Sequence, residues 1–193
     1  EPVSDAERRS GIGGVERYAE FDGLDDGELL KNTTQKVDDL TKRLYVESRS
    51  LDEIYDMARS KSERMASMPA IMPVAKTQCK VVSGFGMRFH PILKYRRLHS
   101  GIDMTARQGT PIYATGDGVV RVASRNPKGY GGYGVVTVID HGFGFQTLYA
   151  HMASVKVRPG QHVKRGEQIG TVGSTGMSSG SHLHYEVILN GKK

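Results

Sequence analysis

The sequence predicts a mainly β chain in which an antiparallel β-sandwich or barrel follows one long helix. Three observations carry that reading. Apolar residues recur at sevens between Leu30 and Met65, short β-branched runs parted by glycine turns fill the chain after Cys79, and no helix of three turns is legible beyond Pro73.

In chain order, residues 1–27 are polar and broken by glycine ("RRSGIGG", "FDGLDDG") and read as loop or partly disordered chain. Residues 28–67 read as a helix. Leu30, Val37, Leu44, Leu51, Ala58 and Met65 form one apolar set, with Leu40, Ile54 and Met68 three positions later and Thr33, Glu47 and Lys61 interrupting that second row. At a rise of about 1.5 Å per residue such a helix is roughly 55–60 Å long, more than one small domain covers. Its seam calls for a second copy of the chain, another protein or another helix, and the segment reads as a stalk or spacer. Pro69 and Pro73 end it, and residues 68–80 read as a linker. In residues 81–193 the runs "GVVRVA", "GVVTVID", "FQTLYAHM", "QIGTVG" and "LHYEVIL" read as strands, with turns at "GDG", "NPKGYGGYG", "HGFG", "RPGQ", "KRG" and "STGMSSG".

A chain of 193 residues suits one buried domain with an appendage. The 37% apolar content and 24 glycines imply many turns and a modest core. A single cysteine, Cys79, excludes an internal disulfide and a thiolate metal site. No apolar run of about 18 residues and no signal-peptide core occur, so anchoring to a membrane would need a segment absent from this chain. No GxxxxGK[ST] loop occurs, which leaves a nucleoside triphosphatase without support. The net charge of +6 is unevenly spread: up to Ala75 there are 11 Lys/Arg against 16 Asp/Glu, and from Lys76 there are 16 against 5. The second region, at +11, is attracted to a polyanion such as nucleic acid, anionic lipid or cell-wall polymer.

All seven histidines, His90, His99, His141, His151, His162, His182 and His184, lie in that cationic region. In "SHLHYE", His182 and His184 point to the same face of a strand about 6.5 Å apart. Two such rings can share a metal ion, flank it, or sit on a polar sheet face. In "LHSGIDM", His99 and Asp103 are too far apart on a straight strand to reach one ion, and Gly101 permits a bend that turns both inward. Two imidazoles and a carboxylate suit zinc, with a fourth position left for water.

Taken together, "HSGID", "GTPIYATGDGVV", "YAHM" and "VRPGQHVKRGEQIGTVGSTGMSSGSHLHYEV" resemble peptidase family M23, the lysostaphin-type zinc endopeptidases of bacterial cell walls. The resemblance covers about Gly84 to Asn190, and "GFGMRFHPIL" is similar to the Gram-negative D,D-endopeptidase branch, in which a coiled coil often precedes the catalytic domain. It implies one zinc per chain held by His99, Asp103 and His184, with His151 and His182 as catalytic imidazoles. It implies peptidoglycan as substrate, no nucleic acid partner, and a periplasmic or cell-envelope location. In that chemistry zinc brings the pKa of its water to about 7, and an imidazole of pKa about 6.5 exchanges protons with that water or the leaving amine.

The remaining candidates carry less specific signals. Arg88 suits a substrate carboxylate, His90 in "RFHP" suits a structural or groove-lining place, and both are expected near the substrate. His141 reads as a hydrogen-bonded residue at a strand end, His162 as solvated, and "GYGGYG" as a cleft wall or a plain hairpin loop. Two other functions compete. A non-hydrolytic or autoinhibited wall-binding scaffold that activates another hydrolase would normally lack ligands that this chain keeps. The "VRPGQHVKRGEQIG" stretch also resembles the sandwiched-hybrid motif of lipoyl-type and phosphocarrier domains, a duplicated fold element that does not specify function.

Overall fold

Helix α1, Gly27–Ser67, realises the heptad pattern as 41 uninterrupted residues, about 60 Å of chain. It opens where Gly27 crosses the Phe21 carbonyl so closely that a Cβ would overlap it. The computed structural model describes residues 18–89 and 94–193, so most of the predicted N-terminal loop and His90 lie outside the described residues. The chain divides into two compact units, Glu1–Lys61 and Ser62–Lys193. In α1 the seam residues Leu30, Val37, Leu40, Leu44, Leu51, Ile54 and Met65 are all exposed, and Gly27 is the helix's buried residue. The apolar row predicted from sequence is therefore present without a covering partner among the described residues. No described helix is long and apolar enough to cross a membrane.

The last helical turn belongs to the second unit and is tied to that unit's loops. Arg165 donates to the carbonyls of Met65, Ala66 (2.8 Å) and Met68 (3.1 Å), while Asp117 N–H reaches Ala66 O at 2.9 Å. These bonds satisfy carbonyls that the last helical turn leaves open. The stretch after it is packed chain: Val74 is fully buried in the core, and Pro73 O accepts from Tyr113 N–H at 2.8 Å.

Among the described residues twelve strands follow: β1 Cys79–Ser83, β2 Gly86–Phe89, β3 Arg96–His99, β4 Ile102–Ala106, β5 Pro111–Tyr113, β6 Gly118–Arg125, β7 Val135–Gly142, β8 Phe145–Ala150, β9 Met152–Val155, β10 His162–Val163, β11 Gln168–Val172 and β12 His182–Leu189. They make a seven-stranded sheet in the order β1-β4-β12-β8-β7-β6-β10, a three-stranded sheet β5-β11-β9, and the ribbon β2-β3. Every pairing is antiparallel. The main core draws Met104, Val120, Ile139, Tyr149, Leu183 and Tyr185 from the large sheet and Ile112, Met152, Ile169 and Val172 from the small one. Each fully buried side chain of this size contributes about 1.5–3 kcal/mol. A smaller cluster of Val136, Val138, Leu148 and Ala150 lies on alternate positions of β7 and β8, covered by Val122, Tyr130 and Tyr133.

One run differs from its sequence reading. "FQTLYAHM" is two strands, because His151 takes a left-handed conformation with φ 59° and turns the chain from β8 in the large sheet into β9 in the small one. Left-handed backbone is uncommon outside glycine, although histidine tolerates it better than most residues. The corner sets His151 between the sheets.

Candidate metal centre

Two neighbouring strands supply two of the three converging groups. Antiparallel pairing of β4 with β12 sets Asp103 directly opposite His184. His99 ends β3 and enters from the other side across Ser100 and Gly101. A Cβ on Gly101 would stand 2.9 Å from Glu186 Cγ and 3.0 Å from His184 Cε1. The glycine predicted to bend the chain inward is thus required by the close approach of β12.

Three ligand-type atoms converge. His99 Nε2 lies 3.0 Å from Asp103 Oδ1 and 3.1 Å from His184 Nδ1, and His184 Nδ1 lies 2.8 Å from Asp103 Oδ1. All three residues are buried. The other ring nitrogens fix the tautomers, since a carbonyl or carboxylate can only accept. His99 Nδ1–H donates to Gly84 O at 2.7 Å, and His184 Nε2–H donates to Glu186 Oε1 at 3.0 Å. Three lone pairs therefore face one another with no donor between them. A shared cation, either a proton or a metal ion, resolves that repulsion. Neutral imidazole, neutral imidazole and carboxylate, with both outer N–H groups anchored, form a donor set that fits zinc. Among the described residues, His99, Asp103 and His184 are a group able to hold such an ion.

The electrostatics follow the same contacts. Burial alone would raise the Asp103 pKa, but the close His184 ring and the other nearby imidazoles outweigh it and hold the carboxyl below its usual range. Burial alone would lower the His184 pKa, and the adjacent Asp103 and Glu186 carboxylates raise it instead. The second oxygen of Asp103 accepts from Arg88 Nη2 at 2.7 Å. Arg88, expected to meet a substrate carboxylate, is in this structure paired with the chain's own acid.

His151 and His182 stand beside the triad, their ring centroids 4.7 Å apart. His151 Nδ1–H donates to Thr175 O at 2.7 Å, and His182 Nδ1–H to Gly180 O at 2.8 Å. Each ring thereby keeps Nε2 as its free nitrogen, and that of His182 is 4.0 Å from Asp103 Oδ1. Burial pushes the His151 pKa down to about 4. The groups open into a cleft of about 670 Å³ whose lining includes Arg88, Arg97, Tyr133, Met177, Ser181 and Lys193. Gly129, Gly131 and Gly132 form part of its wall, as the glycine–tyrosine stretch suggested.

His141 and His162 stand apart. His141 is buried at the end of β7, bonded to Asp117 O at 2.8 Å and Thr147 Oγ1 at 2.7 Å, and His162 is exposed on β10. Sequence reasoning missed Glu186, Ser100 and the side chain of Tyr133. The signal for Glu186 was available: two residues beyond His184 on a strand, it shares that face.

The model of peptidase family M23 matches residues 97–193, half of the chain. The chain belongs to peptidase family M23. Over 113 residues it is 50% identical to the DD-carboxypeptidase/endopeptidase Mpg of Neisseria meningitidis, covering 58% of this chain and 25% of that protein. It is 45% identical over 105 residues to the peptidoglycan DD-endopeptidase ShyA of Vibrio cholerae, covering 54% and 24%. The crystal structure of a zinc-containing peptidase from Vibrio cholerae superposes with a TM-score of 0.57 at 38% identity, covering 63% of this chain and 36% of that one. The chain thus spans about a quarter of the length of the curated relatives it matches.

Proposed function

We propose that this chain is a zinc-dependent endopeptidase that hydrolyses peptide cross-links of peptidoglycan in the bacterial cell envelope. The observation that carries the proposal is the convergence of three lone pairs, from His99, Asp103 and His184, beside two further imidazoles in an open cleft. Relatives described as peptidoglycan endopeptidases and a zinc-containing peptidase of the same fold support the substrate class and the metal. His99 Nε2, Asp103 Oδ1 and His184 Nδ1 would hold one zinc ion. When bound, zinc supplies Lewis acidity, which acidifies water and polarises a peptide carbonyl.

The chain's own groups do the rest. His151 and His182, held by the Thr175 and Gly180 carbonyls, offer Nε2 to accept the proton of the attacking water and return one to the leaving amine. Burial lowers the His151 pKa, so its ring is neutral near pH 7. Arg88 fixes the orientation of Asp103, and Arg97 adds to the cleft lining a cation that suits a carboxylate-bearing stem peptide. The uncovered seam of α1 supports a stalk that pairs with a second copy or a partner helix.

Incubation of the zinc-loaded chain with cross-linked muropeptides, read by mass spectrometry, tests the proposal. Conversion of dimers to monomers gaining one water is expected. Intact dimers after exposure to fully zinc-loaded protein would refute it.

A further inference from the structure

Glu186 is fully buried, and four groups converge on its carboxylate. Oε1 accepts from His184 Nε2–H at 3.0 Å, from Tyr133 O–H at 2.6 Å and from the Ser100 hydroxyl. Lys193 Nζ lies 2.8 Å from Oε2. The Tyr133 ring also stacks on the His184 ring, with centroids 5.3 Å apart and planes 23° from parallel. A buried charge is costly, and apolar filling of this space would be cheaper for the fold alone. Two of these contacts instead act on His184. The carboxylate selects the Nε2–H tautomer, and the stacked phenol fixes the ring plane. The opposite tautomer would aim Nδ1–H at His99 Nε2 and Asp103 Oδ1 and close the centre to any metal.

We infer that Glu186, held by Tyr133, Ser100 and Lys193, is a positioning residue that commits His184 to bind the metal through Nδ1. This rests on the zinc reading above. Tyr133 reaches the second pair of imidazoles as well, because its carbonyl accepts from His151 N–H at 2.9 Å. One residue thus holds a metal ligand by its side chain and a proton carrier by its backbone.

The test compares the full zinc-loaded chain with Glu186→Gln and Glu186→Met by chelator competition for zinc and by NMR of the imidazole N–H protons. In the parent protein the His184 Nε2–H is expected as a downfield resonance protected from water, because its acceptor is charged. Glu186→Gln keeps an acceptor and the fold, so the resonance should move upfield while zinc affinity falls by less than about tenfold. Glu186→Met removes the acceptor and should lose about 10- to 100-fold in zinc affinity, the range usual for outer partners of metal ligands. If Glu186→Met does not fold, the Glu186→Gln resonance still decides. An unmoved His184 N–H signal in Glu186→Gln, or parental zinc affinity in a folded Glu186→Met, overturns this inference alone. A parent chain that binds no zinc overturns the metallopeptidase reading and this inference with it.

Discussion

Two buried polar groups in the β unit are built around histidine, and their partners differ in kind. Around His141, donors and acceptors alternate. Nδ1–H meets the Asp117 carbonyl, Nε2 meets the Thr147 hydroxyl, the Thr147 and Tyr149 hydroxyls are 3.1 Å apart, and Tyr149 Oη accepts from Thr115 N–H at 3.0 Å. Nothing further is needed to satisfy that network, and it serves the fold. In the cleft, His99, Asp103 and His184 turn three acceptors toward one point. The first arrangement is complete as protein, and the second is completed by a cation. Burial and hydrogen bonding are common to both, so what separates a structural histidine from a ligand is the sign of the atoms it faces.

The contrast breaks most sharply under substitution of the five cleft residues. His99→Ala, Asp103→Ala and His184→Ala should each abolish bound zinc and, with it, measurable cleavage. His151→Ala and His182→Ala should keep zinc and lose about 10²–10⁴-fold in turnover, the usual share of general acid–base groups. Elemental analysis of the five purified variants beside a muropeptide assay separates the two classes. Full zinc in all five would remove the distinction.

A smaller effect is expected at the structural histidine. His141→Ala strands the Asp117 carbonyl and should cost about 1–3 kcal/mol of stability. Zinc content and turnover of the folded fraction should stay at parental values. Denaturant unfolding with parallel activity assays would show it, and loss of zinc from His141→Ala would mean that the two networks are coupled.

The mildest test is acidification. Burial holds the His141 pKa below its ordinary value, so near pH 6 and below the unfolded chain binds more protons than the folded one. The contribution of neutral His141 is complete above about pH 6.5 and is lost as pH falls toward the folded-state pKa. The slope of stability against pH over that window should flatten in His141→Gln, measured in zinc-free protein against the zinc-free parent.

Local pattern made much of this legible. Heptad spacing located α1, and β-branched runs located β6, β7, β11 and β12, because those elements are set by neighbours in sequence. The seam's want of a cover was legible, since the helix is longer than one small domain covers, but the identity of the cover was not. Spacing could not divide the His182/His184 pair into ligand and proton carrier, and the family resemblance supplied that assignment. The Arg88–Asp103 pair arises because the β2-β3 ribbon lines the cleft, a tertiary event with no local signature. Glu186 was within reach of simple alternation, because it lies two residues after His184 on β12.

The left-handed corner at His151 makes that imidazole a hinge pin between two layers: the strand before it belongs to one sheet and the strand after it to the other. Any sliding of one layer over the other must therefore swing this ring relative to His182, whose own strand stays with the larger layer. Under the proposed mechanism, loosening the interlayer fit beside this corner, as Met152→Ala would, slows proton transfer while zinc content stays at the parental value, so a change in packing alone registers as slower chemistry.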